Sequence, residues 1–272
     1  ENASELISIL LSLWLELIDK LPEQECIQFI NTIITILTKM PQNSQLYSEK
    51  SNELCDFFVF ALKQFNNSQE LNTYFEVINS LLRQTDNPST DLFEIIPFLC
   101  HFLMLNFEDY EYLMKYSIHL FLNFVKKPSI FEFNDGLYLK TILEFTENIF
   151  ENCSFDTISS ILILYSVIIQ VKGEMIDLAS KSIGFFDQNE ILANLYISEF
   201  VLLSSALLVG SDSIIPFITE KILFNISNNL NILKEAVENY ISICLIGLCV
   251  LAKNGYERCY LDACSVVEIL SK

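Results

Sequence analysis

The sequence predicts an all-α protein, and within that class an α-solenoid of antiparallel helix pairs. Three observations lead there. Apolar residues recur at helical spacing along nearly the whole chain, as at Leu71, Tyr74, Phe75, Ile78, Leu81 and Leu82, or Leu233, Val237, Tyr240, Ile241, Cys244, Leu248 and Leu251. Only six Gly and six Pro occur in 272 residues, too few turn residues for a hairpin-rich β fold. The tetrapeptide Ile-Ile-Pro-Phe occurs twice, at Ile95 and at Ile214, 119 residues apart, close to three units of forty.

The elements follow from the breaks between apolar runs. The first two helices are 3–20 and 23–40. Polar clusters at 41–44 and 66–68 delimit helices 49–65 and 69–84. The turn residues at 85–89 open helix 90–107, and helix 109–126 ends at 126–129, Lys-Lys-Pro-Ser. A long connection over 126–136 carries exposed-looking Phe131 and Phe133. Beyond it come helices 136–151 and 155–172, separated at 152–154, then a short helix 174–184 after Gly173. Helix 190–209 stops at Gly210, helix 212–228 at Asn228 and Asn229, helix 232–252 at Asn254 and Gly255, and 257–271 is last. Ser, Asp and Asn at these breaks can accept the free N–H groups of a following helix, and Gly allows the left-handed exit. Residues 160–171 are β-branched enough to form a strand by local propensity, but the surrounding helical period opposes it.

Taken in pairs, the first helices start near 3, 49, 90, 136, 174, 212 and 257, steps of 38 to 46 residues. Two helices per 40 to 47 residues is the range of HEAT and armadillo repeats. The chain is therefore read as one solenoid with approximate units 1–40, 49–84, 90–126, 136–172, 174–209, 212–252 and 257–272. Pro97 and Pro216 are expected inside first helices, where a proline removes a hydrogen bond and bends the helix. Glu1 in place of an initiator Met is expected of an excised segment.

Charge narrows the partners. Thirty-five acids against sixteen bases give a formal net charge of −19, and Arg83 and Arg258 are the only arginines. Nucleic acid and anionic membrane surfaces are repelled by such a protein, whereas basic partners are attracted. The high mean hydropathy admits a polytopic membrane protein as a competing reading. The longest uncharged stretch, 157–171, is shorter than the ~20 residues of a spanning helix. Eight cysteines lack CxxC spacing and a His partner, so they are read as reduced thiols, with no metal site.

No constellation supports catalysis. His101 and His119 have no Ser, Cys or carboxylate at triad spacing, and the glycines form no phosphate loop, so neither an enzyme nor a cofactor is expected. Trp14 is read as core or a covered repeat interface. The second helices carry acids in their first turns: Glu23 and Glu25, Glu70, Asp109 and Glu111, Asp156, Glu190, Glu235 and Glu238. The helix dipole favours acids there in any case. If second helices line a concave face, these acids, with Glu76 and Glu199 further along, form a negative stripe that would hold a basic helix or peptide.

The final third resembles the importin beta family of nuclear transport receptors, built of HEAT repeats. The resemblance rests on 202–223, where a helix rich in Leu and Ser ends at Gly210 and Asp212 and Ile214-Ile-Pro-Phe follows. It extends to 233–248 with its internal Gly247, to 254–261, and upstream to 161–179 in the same register. Over 1–154 it is architectural only, and the Asp and Arg usual near the turn of a HEAT repeat are missing after Pro97 and Pro216. The resemblance implies a receptor of cytoplasm, nucleus and nuclear pore. Its acidic concave face would grip basic cargo or the importin alpha adaptor, and pockets between outer helices would take Phe-Gly nucleoporins. Other HEAT scaffolds, adaptin-like or of chromosomes and the cytoskeleton, are the alternative.

Overall fold

The computed structural model describes residues 2–17, 20–40, 46–64, 71–85, 88, 90–105, 111–173, 176–186 and 192–271. All regular structure among them is helical. The chain divides into two compact units, Glu1–Ile149 and Phe150–Lys272. The sequence reading placed no boundary there, because the helical period runs through it without a change in composition.

The first unit holds α1 (Asn2–Leu17), α2 (Glu23–Thr38), the single turn α3 (Leu46–Glu49), α4 (Ser51–Gln64), α5 (Leu71–Gln84), α6 (Ile95–Leu105), α7 (Glu111–Val125), the single turn α8 (Ser129–Glu132) and α9 (Leu137–Ile149). Two sets of neighbours run through it. Helices α2, α5 and α7 pack in succession, and so do α1, α4, α6 and α9. Alternate helices are neighbours because each has apolar residues on more than one side. Trp14 of α1, for example, packs edge-on against Phe57 and Phe60 of α4, with ring centroids 5.5 and 5.8 Å apart. Trp14 is thus a covered contact between helices one apparent repeat apart. Side-chain hydrogen bonds lock the other set. Tyr74 Oη donates to Asn31 Oδ1 (3.0 Å), and Asn123 Nδ2 donates to Asn79 Oδ1 (2.8 Å).

The second unit holds α10 (Phe155–Lys172), α11 (Ser180–Phe186), α12 (Ala193–Ile214), α13 (Glu220–Asn229), α14 (Glu238–Lys253) and α15 (Arg258–Leu270). Here α10, α12 and α14 pack in succession, α11 touches α13, and α13 touches α15. Helix α10 runs parallel to α12. Asn194 at the start of α12 donates to Asp156 and accepts from Ser159 through its carbonyl, while Gln170 near the end of α10 donates to Ser205 (2.8 Å). Ten successive residues of α12, 198–207, are buried, so this helix has no solvent side over almost three turns.

Close approach requires small side chains. The serines of this row mostly return their hydroxyls to their own helix, as Ser166 does to the Ile163 carbonyl and Ser205 to that of Val201. At the crossing of α12 and α14, Gly247 lies directly against Ser204. A Cβ added at Gly247 would overlap the Ser204 hydroxyl and lie 2.6 Å from its Cβ and 3.0 Å from its Cα.

Several sequence expectations change. The connection 126–136 is ordered as α8 and a 3-10 turn, Phe133–Gly136, with Phe131 half-buried. Residues 160–171 are helical, as the surrounding period indicated over their strand propensity. Helix α12 continues past the Gly210 break, which is a kink with non-helical φ −152° and ψ 60°, and runs to Ile214. The expected helix 212–228 begins only at Glu220. Most importantly, neither proline bends a helix interior. Pro97 is the third residue of α6, after a 3-10 turn at Thr90–Glu94, and Pro216 lies in the 3-10 turn Ile215–Phe217. A proline near a helix start removes an N–H that has no intrahelical acceptor there. The first copy therefore marks the entry to α6 and the second the turn that leaves α12, and neither marks a bend within a helix.

The Gly247 contact gives a direct test. Gly247→Ala should destabilise the chain by about 1–3 kcal/mol through overpacking, measured as a lower urea midpoint. Combined with Ser204→Gly, the loss should be smaller than the sum of the two single changes, because the colliding atoms are gone.

Candidate functional site

Six of the nine stripe residues fall among the described residues. Glu76 on α5 is exposed, as is Asp156 at the start of α10. Glu238 is the first residue of α14 and is exposed, and Glu235 is exposed at the end of a 3-10 segment, Leu230–Glu235, just ahead of it. Glu111 is the first residue of α7. Glu70, Asp109 and Glu190 lie outside the described residues. Among the second unit's exposed stripe acids, then, Asp156 and Glu238 sit at helix N-termini, where the dipole favours them. Asp156 also accepts the Asn194 amide at 2.8 Å, so part of its role is to join α10 to α12.

Glu199, the ninth, is not on a surface stripe. It belongs to the enclosed part of α12, has no exposed area, and neither carboxyl oxygen has a hydrogen-bond partner. Burial pushes its carboxyl up to about 9, so it is neutral at pH 7 and contributes no charge to any groove. The helical period alone could not reveal this, because a helix buried on all sides has no polar face to calibrate against.

A feature the sequence reading did not nominate lies at the second tetrapeptide. A cavity of about 480 Å³ opens among Asp177, Ser180, Ile183, Ser213, Ile214 and Phe217. Ile183 comes from α11, Ile214 ends α12, and Phe217 closes the 3-10 turn that follows. Ile214 is buried, whereas Phe217 keeps 60 % of its surface in water. Asp177, Ser180 and Ser213 form a polar rim. An apolar wall with an acidic rim suits an apolar side chain carried next to a basic one. The sequence signal was present in Ile214 to Phe217, but it reads as helix packing until Phe217 is seen exposed. At the first copy, Ile95 and Ile96 are both buried and Phe98 stacks on Phe102, so that copy serves the core.

The remaining reactive groups are dispersed. His101 and His119 are exposed on α6 and α7. Cys55, Cys100, Cys244 and Cys259 are buried thiols outside any disulfide, and Cys249 and Cys264 are exposed ones. Burial pushes the Cys100 thiol up to about 12 and that of Cys259 to about 11, and raises Cys244 while the Ser204 hydroxyl opposes it. These are poor nucleophiles. Among the described residues, no three His, Cys, Asp or Glu gather as a metal ion would require. Phe155–Lys172 and Ala193–Gly210 are long and apolar enough to cross a membrane by length and composition, and 61 % and 67 % of their residues are buried within the protein.

The buried carboxyl sets a pH dependence. In the unfolded chain Glu199 ionises above about 4.5, but the folded chain holds the proton up to about 9. The unfolded state therefore binds fewer protons in this window, and stability falls as pH rises through it. By pH 7 the loss is about 3 kcal/mol. Glu199→Gln should flatten urea midpoints between pH 5 and pH 8 relative to the unmodified chain. Equal slopes for the two would contradict the assignment.

No family model, no curated protein and no solved structure matches this chain.

Proposed function

We propose that this chain is a protein-binding scaffold, a HEAT-like solenoid segment that holds basic segments of other proteins by exposed acids and apolar side chains by the cavity at Phe217. One observation carries this reading. The side-chain hydrogen bonds between alternate helices join residues one repeat length apart. Asn31 pairs with Tyr74, Asn79 with Asn123, Asp156 with Asn194, Gln170 with Ser205, and Ser227 with Asp262. Separations of 35 to 44 residues in both units are what a stack of equivalent units produces, each touching only its neighbours. Such an architecture works through surface, and a net charge of −19 selects basic ligands.

The narrower form of the proposal is a nuclear import receptor of importin beta type. It is supported by the resemblance over 155–272, by the exposed acids Glu76, Asp156, Glu235 and Glu238, and by the cavity beside the second Ile-Ile-Pro-Phe. In that form, basic adaptor or cargo segments, importin alpha included, use the acids, and Phe-Gly nucleoporin repeats insert their rings beside Phe217 and Ile183. A HEAT scaffold of another pathway has basic partners but no use for Phe-Gly repeats.

Two assays separate the claims. An Arg/Lys-rich helical peptide should bind the chain at 50 mM salt and weaken at least about tenfold by 300 mM. The charge reversals Glu76→Lys, Glu235→Lys and Glu238→Lys together should have a comparable effect at low salt. Salt-independent binding, or none, contradicts the acidic-surface mechanism. A Phe-Gly repeat column should retain the chain and release Ile183→Asp and Phe217→Ser. Passage of the unmodified chain rejects the import-receptor form and leaves the broader scaffold.

A further inference from the structure

A second concavity, of about 790 Å³, lies between the end of α14 and the start of α15. Two cations and one acid line it, in a chain where acids outnumber bases. Lys253 comes from the last turn of α14 and Arg258 is the first residue of α15. Both line the groove and both are exposed. Neither has a carboxylate within 4.0 Å among the described residues, in a chain with more than twice as many acids as bases. Glu257 lines the same groove without bridging to either cation.

Local helix energetics explain Lys253, because a cation at a helix C-terminus is favoured. They do not explain Arg258, which stands at a helix N-terminus, where the dipole opposes a positive charge. An arginine there, one of only two in the chain, adds its field to that of the helix start. Beside these cations stand Tyr260 and Leu261, 65 % and 66 % exposed, with the exposed thiol of Cys249 on the opposite helix. Two adjacent large apolar side chains left in water, rimmed by two unpaired cations, form a surface of mixed chemistry. Its complement carries apolar residues and carboxylates together.

We propose that the α14–α15 groove docks an acidic amphipathic segment of a partner protein. Leucine- or phenylalanine-type side chains would lie on Tyr260 and Leu261, and flanking carboxylates would pair with Lys253 and Arg258. A planar guanidinium suits a bidentate carboxylate contact, and the lysine supplies a second, more mobile charge. The ligand class is thus the reverse of the basic segments attracted to the acidic surface, and the two sites can be occupied at once.

The test uses the whole chain and three fluorescein-labelled twelve-residue peptides, read by anisotropy. One repeats Glu-Glu-Leu-Leu, one replaces its Leu with Ser, and one replaces its Glu with Lys. The first peptide should bind, and the serine version should not. Lys253→Glu with Arg258→Glu, and separately Leu261→Ser, should each weaken the first peptide at least tenfold and leave binding of the lysine version unreduced. All of these side chains are exposed, so an unchanged thermal midpoint and circular dichroism spectrum should accompany the loss. Absence of binding by the first peptide, or equal binding by the variants and the unmodified chain, overturns the proposal.

Discussion

A helix wedged between two neighbours has almost no side left for water, and α12 is in that position. Helix α10 covers one flank and α14 the other, and ten consecutive residues are buried. Much else in the second unit follows from this constraint. Residues between the helices must be apolar or small, hence the serines that bond their own backbone and the glycine at 247. The charges of α10 and α14 stand at their ends, Asp156 and Lys172 on one and Glu238 and Lys253 on the other. The carboxyl enclosed in α12, Glu199, has no hydrogen-bond partner and stays neutral.

The same constraint places chemistry at the joints between helices. Where α12 gives way to the 3-10 turn at Ile215–Phe217, the row ends, Phe217 emerges, and a cavity opens toward α11. Where α14 turns into α15, a left-handed Gly255 (φ 97°) reverses the chain, and Lys253 and Arg258 are left on either side of the turn. Polar chemistry of both signs thus stands where helices end, Asp177 at the opening beside Phe217 and Lys253 and Arg258 at the α14–α15 turn.

The all-α class was legible in the sequence. The polar breaks located most helices to within a few residues, since capping chemistry and apolar period are local properties, but the starts expected at 212 and 232 lie at Glu220 and Glu238. What was not legible depends on which elements become neighbours. Pro97 does lie inside a helix, but at its third residue rather than at a bend, and Pro216 lies in a 3-10 turn that the continuing apolar pattern conceals. Glu199 was placed on a stripe, because it lies further along a second helix with an acid at its start, and only tertiary packing shows it to be enclosed. Asp156 and Glu238 were found by their position at helix starts, which the sequence does encode. The cavity at Phe217 and the cations at 253 and 258 required the turn geometry, because residues far apart in sequence, such as Asp177 and Phe217, line one opening.

Native-state amide hydrogen exchange, resolved helix by helix over the whole chain, tests the stacking constraint most directly. If α12 owes its order to neighbours on both flanks, the amides of 198–207 should exchange the slowest in the second unit, and those of α15 markedly faster. Exchange of 198–207 at the rate of α15 would contradict the packing from which the placement of every charge and cavity in the second unit has been argued.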